Sequence, residues 1–500
     1  MLDLKRQEVW FVTGSQELYG KETLTKVADN SRTIARSLDE SGALPVRVVW
    51  KPALTSAEAI QKVCQEASAS PTCVGVIAWM HTFSPAKMWI AGLTRLDRPL
   101  AHLHTQFNRE LPWDSIDMDF MNLNQSAHGD REFGYIGARL RLPRTVVVGH
   151  WQDDEVLGKL DVWSRAACAL ADARQLKICR FGGMNMRDVA VTGGDRVEAQ
   201  IRLGWSVNGY GVGDLVGRIA DVTDAEVDRV VGEYGDRYNV VPALRKGGEK
   251  HADLRYAARQ EIGMRAFLEE GGFGALTTTF EDLHGLKQLP GLACQRLMAD
   301  GFGFGAEGDW KTAGLIRAMK VMSAGRPGGV SFMEDYTYHL VKGQERVLGA
   351  HMLEVCPSIA AGKPSLETHP LGIGGKADPC RLVFDGGPGP AVNATLIDLG
   401  SRLRLIVAET DAVTPDRPMP KLPVARAMWI PRPDFKRGCE AWILAGGAHH
   451  VSFSRAVSFE HLDTFANMVG IEVVRIGTET TIPALRNELR WNDVGFGSLR

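Results

Sequence analysis

Two glutamates and three histidines in the C-terminal half carry the chemistry this sequence offers: Glu307, Glu334, His351 and the adjacent His449 and His450. Glu334 and His351 fall in a stretch that reads as a β-hairpin, with "KGQE" (342–345) as its turn. Residue 334 then lies opposite 353, and Glu334 and His351 share a face as diagonal neighbours. A turn centred one residue away sets them directly opposite. The companions on that face, Phe332, Tyr336 and Leu353, are apolar or aromatic, so a charged Glu334 needs a partner. A hydrogen-bonded Glu–His core pair meets that need as well as a shared ion does. Glu307 stands in the glycine-rich "GFGFGAEGDWKTAGLIRAM" (301–319), a loop running into a helix with Asp309 as its cap. Taken alone, it also reads as a solvated loop acid. "LAGGAHH" (444–450) ends in the histidine pair; on a strand end, one ring faces a site and the other a core or supporting contact. Glu307, Glu334, His351 and one of His449 or His450 make two carboxylates and two imidazoles. That mixture suits manganese, iron(II) or cobalt, whereas structural zinc usually draws cysteines. Four ligands leave two octahedral positions where adjacent substrate oxygens can chelate.

The same glycine-rich loop contains a formal G-x-G-x-x-G at Gly303, Gly305 and Gly308. A dinucleotide fold needs a strand immediately before it and a ribose-binding acid about 20 residues on. Here "LACQRLMADG" reads as a helix, and the next acid of that kind, Glu334, lies beyond a Gly/Pro-rich boundary, "SAGRPGGVS" (323–331). No nucleotide is expected.

The elements that must position these residues alternate in the first half. "EVWFVTG", "PVRVVWKPAL", "VGVIAWM", "PLAHLHTQ" and "TVVVGHW" read as strands. Between them run the helices "KETLTKVADNSRTIARSL", "SAEAIQKVCQEAS" and "SPAKMWIAGLTRL", the last with Ser84 as N-cap and Pro85 at its first position. This is the pattern of a doubly wound parallel sheet. A long helix (153–175) leads to "LKICRFGG", where the alternation restarts in a second α/β domain containing the strand "FGALTTTF" (273–280). Beyond residue 326 the helical period fades into β-rich sequence, read as a sandwich or barrel. The expected domains are 1–176, 177–326 and 327–500.

Bulk composition excludes several classes. With 58 basic and 60 acidic residues and a net charge of −2, nucleic acid and anionic membranes are not expected partners. No run approaches the roughly 18 apolar residues of a membrane span, and the N-terminus lacks a signal-peptide core. The eight cysteines show no C-x-x-C spacing, which reads as reduced thiols in a cytoplasmic protein.

Long blocks resemble the L-arabinose isomerase family: "WFVTGSQELYG" (10–20), "HTFSPAKMWI" (81–90), "HTQFN" (104–108), "PWDSIDMDFMNLNQSAHGDREFGYIGARLR" (112–141), "TTTFEDLHGLKQLPGLA" (277–293), "EGDWKTA" (307–313), "SFMEDYTYH" (331–339), "HMLEVCPS" (351–358), "LGIGGK" (371–376) and "EAWILAGGAHH" (440–450). The matches span nearly the whole chain. The resemblance implies two α/β domains of fucose isomerase-like type and a β-barrel-like C-terminal domain. It also implies a homohexamer and a manganese-dependent aldose–ketose isomerase, with cobalt or iron(II) as substitutes. The family's metal ligands fall on Glu307, Glu334, His351 and His450, leaving His449 to the substrate or a supporting contact. Its substrate contacts fall on Gln16, Leu18, Tyr19, Gln125 and Phe280, with His128 reaching in from a neighbouring subunit. The family pattern Phe-Gly-x-Asn-Met-Arg reads "FGGMNMR" (181–187) here, one residue longer; Met186 is the carry-over, with Met184 close by.

The implied reaction converts L-arabinose to L-ribulose through an enediolate, with Glu307 and Glu334 as acid and base. A metal on O1 and O2 would lower the substrate's pKa more than burial raises a glutamate's. A pocket built for these hydroxyls should also turn over D-galactose, more slowly. Other readings are a fucose-type isomerase of the same fold and a non-catalytic sugar-binding protein. A nucleotide-dependent oxidoreductase rests only on the glycine pattern.

Overall fold

The computed structural model describes residues 3–183 and 186–497. It divides into two compact units. One runs to Ala171 and takes in Asp463–Gly470; the other holds Asp172–Leu462 and the chain from Ile471 onward.

The first unit is built on five parallel strands: β1 (Glu8–Gly14), β2 (Arg47–Trp50), β3 (Cys73–Met80), β4 (Leu100–His104) and β5 (Thr145–Val148), in the order 2-1-3-4-5. Every residue of β3 is buried, so its sequence is a continuous apolar run rather than an alternation. The helix Gly20–Glu40 buries Val27, Ser31, Ile34, Ala35 and Leu38, the stripe its 3.6-residue period puts on one side. The strand order reverses between β1 and β3. Such a reversal opens a crevice at the carboxyl ends of the strands.

One expected cap is not observed. The segment after Ser84 is a 3-10 turn, Ala86–Trp89, running into the short helix Ile90–Leu93. Ser84 Oγ instead accepts the Trp89 indole N–H at 3.0 Å, because that ring is buried and its donor needs a partner.

The second unit opens with β6 (Lys177–Phe181), β7 (Ser206–Tyr210), the two-residue β8 (Asn239–Val240), β9 (Ala275–Thr277) and β10 (Gly303–Gly305). All but β8 form a parallel sheet in the order 10-9-6-7. Nine strands follow: β11 (Val330–His339), β12 (Arg346–Ala350), β13 (Ser365–Thr368), β14 (Cys380–Val383), β15 (Gly389–Asp398), β16 (Leu403–Val413), β17 (Arg426–Pro431), β18 (His450–Ser454) and β19 (Glu472–Ile476). The antiparallel order 15-18-11-12-17-16 returns from β16 to β15, closing a six-stranded barrel; β19 adds to β16 from outside. Closure pairs both edges of the sheet. The α/β regions and the barrel-like C-terminal region are those expected from the sequence.

The hairpin register differs from expectation. Thr337, Tyr338 and His339 pair with Leu348, Val347 and Arg346, and a bulge at Tyr336 then brings Glu334 opposite Ala350. The extra residue turns Tyr336 outward, 48% exposed, rather than onto the glutamate's face. His351 lies one position past the end of β12. Bulges of this kind re-aim side chains near functional sites. The apolar run before Gly446 is likewise not a strand: Phe435–Ala445 is a helix ending in Gly446 at φ 85°, and β18 begins at His450.

Candidate metal centre

The glycine-rich loop serves close packing. The helix Trp310–Met322 lies so near β10 that a Cβ on Gly303 would meet the Ala313 carbonyl at 2.0 Å. A Cβ on Gly305 would meet the Asp309 carbonyl at 2.2 Å. The chain then reverses sharply, with Glu307 at φ 57° and Gly308 at φ 76°. A glutamate in the left-handed region is held at an energetic cost, a feature that clusters at functional sites. Asp309 caps the helix as expected, accepting from the backbone N–H of Lys311 and Thr312 at 3.1 and 3.2 Å.

The barrel wall supplies the other groups. Glu334 on β11 pairs directly with His450 on β18. His450 Nε2 lies 3.3 Å from Glu334 Oε1 and 3.6 Å from Glu307 Oε2. His449 Nε2 lies 3.6 Å from Glu307 Oε2 and 4.0 Å from Glu334 Oε1. His351 joins through Glu334, its Nε2 3.7 Å from Oε1. Glu307, His449 and His450 each offer a ligand atom, all within 4.8 Å of one another. All five residues singled out for chemistry therefore converge.

Two of the rings are fixed from behind. His450 Nδ1 is 3.0 Å from Asp309 Oδ2, and His351 Nδ1 is 2.5 Å from Glu354 Oε2. Each anchor turns Nε2 toward the carboxylates, the support that ligating imidazoles generally have. Phe332 packs edge-on against both rings, at 4.9 and 5.0 Å between centroids. Among the described residues the buried His450 Nε2 has the Glu307 and Glu334 carboxylate oxygens near it and no well-aligned hydrogen bond, and the donor set suits a divalent cation of hard to borderline character. The residues present fit such an ion.

The electrostatics agree. Burial opposes charge on His450, but the Asp309 and Glu334 carboxylates outweigh it and push its pKa up to about 9. Burial likewise opposes charge on His351, and Glu354 with Glu334 overcomes it, raising that pKa too. Glu334 is held below its ordinary value: the neighbouring imidazoles outweigh its burial. Asp309 is also held down despite full burial, chiefly by Lys311 and His450. The pocket draws positive charge, here protons on imidazoles.

The other candidates fall in two groups. In the first unit, Gln16 Nε2 donates to the Phe83 carbonyl at 3.0 Å, and Tyr19 Oη donates to Gln125 Oε1 at 3.4 Å. His128 packs on Phe83 at 4.7 Å between centroids, and Leu18 is 83% exposed. These five sit together by the crevice between β1 and β3. In the second unit, the Phe280 ring lies 6.0 Å from that of His351. Met186 is half-buried in a loop whose Arg187 N–H donates to Glu281 at 3.1 Å, beside Phe280. Met184 lies outside the described residues.

Three family models match in succession: the L-arabinose isomerase N-terminal domain over residues 3–175, the central domain over 177–325 and the C-terminal domain over 329–472. The chain belongs to the L-arabinose isomerase family. Curated relatives agree along their whole length. L-arabinose isomerases of Herpetosiphon aurantiacus and Geobacillus stearothermophilus are 61% and 62% identical, each over 99% of both chains. That of Koribacter versatilis is 61% identical over the same share. A periplasmic sugar-binding protein from Legionella pneumophila aligns at 10% identity and a TM-score of 0.15, over 64% of this chain and 95% of its own, which carries no argument. As a member of the L-arabinose isomerase family, the chain is an enzyme rather than a binding module.

Sequence reasoning passed over Glu354 entirely. Its one sequence signal is the three-residue spacing from His351 in "HMLE". Asp309 was read only as a helix cap, because its contact with His450 joins positions 141 residues apart.

Proposed function

We propose that this chain interconverts L-arabinose and L-ribulose as a manganese-dependent aldose–ketose isomerase. Glu307, Glu334, His351 and His450 hold one ion per subunit, and Co²⁺ or Fe²⁺ can replace Mn²⁺ there. The observation that carries this reading is His450 Nε2, buried, without a well-aligned hydrogen bond among the described residues, and 3.3 and 3.6 Å from two carboxylates. His449 stands at the exposed lip of the cluster, its side chain 42% exposed, where it meets substrate.

A cation held by these residues would supply Lewis acidity toward negative charge on the sugar's oxygens. Glu307 and Glu334 carry the protons. One carboxylate takes the C2 proton of the open-chain aldose, its electron pair forming the C1–C2 double bond while the carbonyl pair moves to O1; the same or the other carboxylate returns a proton to C1 as the O2 hydroxyl proton passes to O1, leaving the C2 ketone. Anchoring of His351 by Glu354 and of His450 by Asp309 keeps both imidazoles from drifting toward the reacting carbons.

Met186 and Phe280 contact the sugar beside the metal cluster, and Gln16, Leu18, Tyr19 and Gln125, on the first unit, are sugar contacts as well. His128 serves the site of a neighbouring subunit in a homohexamer. The enzyme acts in the cytoplasm, at the first step of L-arabinose catabolism, with domains divided at 176/177 and 326/327. No helix among the described residues is long and apolar enough to cross a membrane.

The test is ketose formation from L-arabinose by chelator-stripped protein, with and without added Mn²⁺. Ketose only with metal is the expected result. No ketose in either case, from folded protein, would overturn the substrate assignment in favour of a fucose-type sugar.

A further inference from the structure

The barrel holds an open cavity of about 270 Å³ beside the metal centre, with His449 at the edge of both. Strand alternation turns the Glu334–His450 pair away from the cavity. Glu334 and His450 pair across β11 and β18 and point to the metal cluster, while Met333 and Val451, the next pair along, belong to the apolar core on the opposite face. Asp335 follows Met333 and lines the cavity. So do Asn393 on β15, Thr410 on β16 and Trp429 on β17, all buried. Trp442, from the helix Phe435–Ala445, forms part of the wall. The rim is open: Tyr338 is 43% exposed and Ile443 72%.

Two features give this space a chemistry. Asn393 Oδ1 and Thr410 Oγ1 are buried and have no hydrogen-bond partner among the described residues. An unmet amide oxygen or hydroxyl in an apolar setting is costly, and an incoming donor relieves it. The lining also contains acceptors and aromatic faces, with the His449 imidazole at its edge toward the metal centre, but neither lysine nor arginine. Acceptors, a carboxyl group and indole faces together are the recognition chemistry of an organic ammonium group.

We propose that the barrel cavity binds a small organic amine in its protonated form. Its N–H groups meet Asn393 Oδ1, Thr410 Oγ1 and the Asp335 carboxylate, and its hydrocarbon body lies against Trp429 and Trp442. This site adjoins the metal centre at His449 but uses none of Glu307, Glu334, His351 and His450, and it stands without the sugar assignment.

Benzylamine is the probe, with benzyl alcohol as the neutral molecule of the same shape, titrated calorimetrically into full-length Mn²⁺-loaded protein. Benzylamine should bind saturably and at least tenfold more tightly than benzyl alcohol. Asn393→Leu and the near-isosteric Thr410→Val should each weaken it at least tenfold. His351→Gln, which removes a metal-centre residue, should leave amine binding unchanged. Circular dichroism checks each fold, and Thr410→Val alone decides the matter if Asn393→Leu does not fold. The proposal is overturned by the absence of saturable binding, by equal affinity for the alcohol, or by binding indifferent to Thr410→Val. Loss of binding in His351→Gln would place the amine at the metal centre and overturn it equally.

Discussion

Asp309 Oδ2 lies 3.0 Å from His450 Nδ1, so one carboxylate both caps the helix Trp310–Met322 and orients an imidazole of the metal cluster. The two roles can be separated. Asparagine is also a good N-cap, so Asp309→Asn keeps the helix start while removing the charge behind His450. Metal affinity should fall about 10- to 100-fold, the usual cost of losing such a support. A chelator-competition titration of Mn²⁺ measures it; unchanged affinity would mean that Asp309 is only a cap.

Glu307→Gln and Glu334→Gln each remove a carboxylate placed both to hold the ion and to move a proton. Turnover should drop by at least the order of 10²–10⁴-fold that general acid–base catalysis contributes. Steady-state kinetics at saturating Mn²⁺ give the answer. Activity within tenfold of wild type in both variants would remove the glutamates from the proton-transfer step.

D-Galactose shares the C2 to C4 configuration of L-arabinose and differs by an added exocyclic carbon. A pocket that reads hydroxyls discriminates strongly against their absence and weakly against such an addition. D-Tagatose should therefore form, with a lower kcat/KM than L-ribulose. Chromatography of a Mn²⁺-saturated reaction would show it, and no tagatose at any enzyme concentration would refute the prediction.

His81, in the first unit, supplies a pH test. Its ring is fully buried, stacks on Trp79 at 4.4 Å and meets Asn30 at 2.9 Å. Burial drives its pKa down from 6.5 to about 3. The unfolded chain therefore takes up the proton first. Stability from the neutral ring is complete above pH 6.5 and is lost as pH falls toward 3. Denaturant unfolding across that window should show a decline, shallower in His81→Gln; identical slopes would exclude His81 as its source.

Much of this was legible in the sequence. Buried strands such as β3 announce themselves as continuous apolar runs, and the α/β alternation follows from local period alone. The residue types of the metal cluster, two glutamates with histidines, suit a divalent ion if they meet, which the sequence alone does not show. Ser84 shows where local signals stop: its sequence fits an N-cap, yet it serves the buried indole of Trp89. The Glu334–His351 register shows the same, since the bulge at Tyr336 shifts the pairing by a residue that counting from the turn does not include. Only the tertiary structure could bring Glu307 to His450 and Asp309 behind it, because contacts across 141 residues carry no local period. Local sequence fixes which torsions and faces are favoured. Which faces meet, and so which atoms can share an ion, depends on how the whole chain packs.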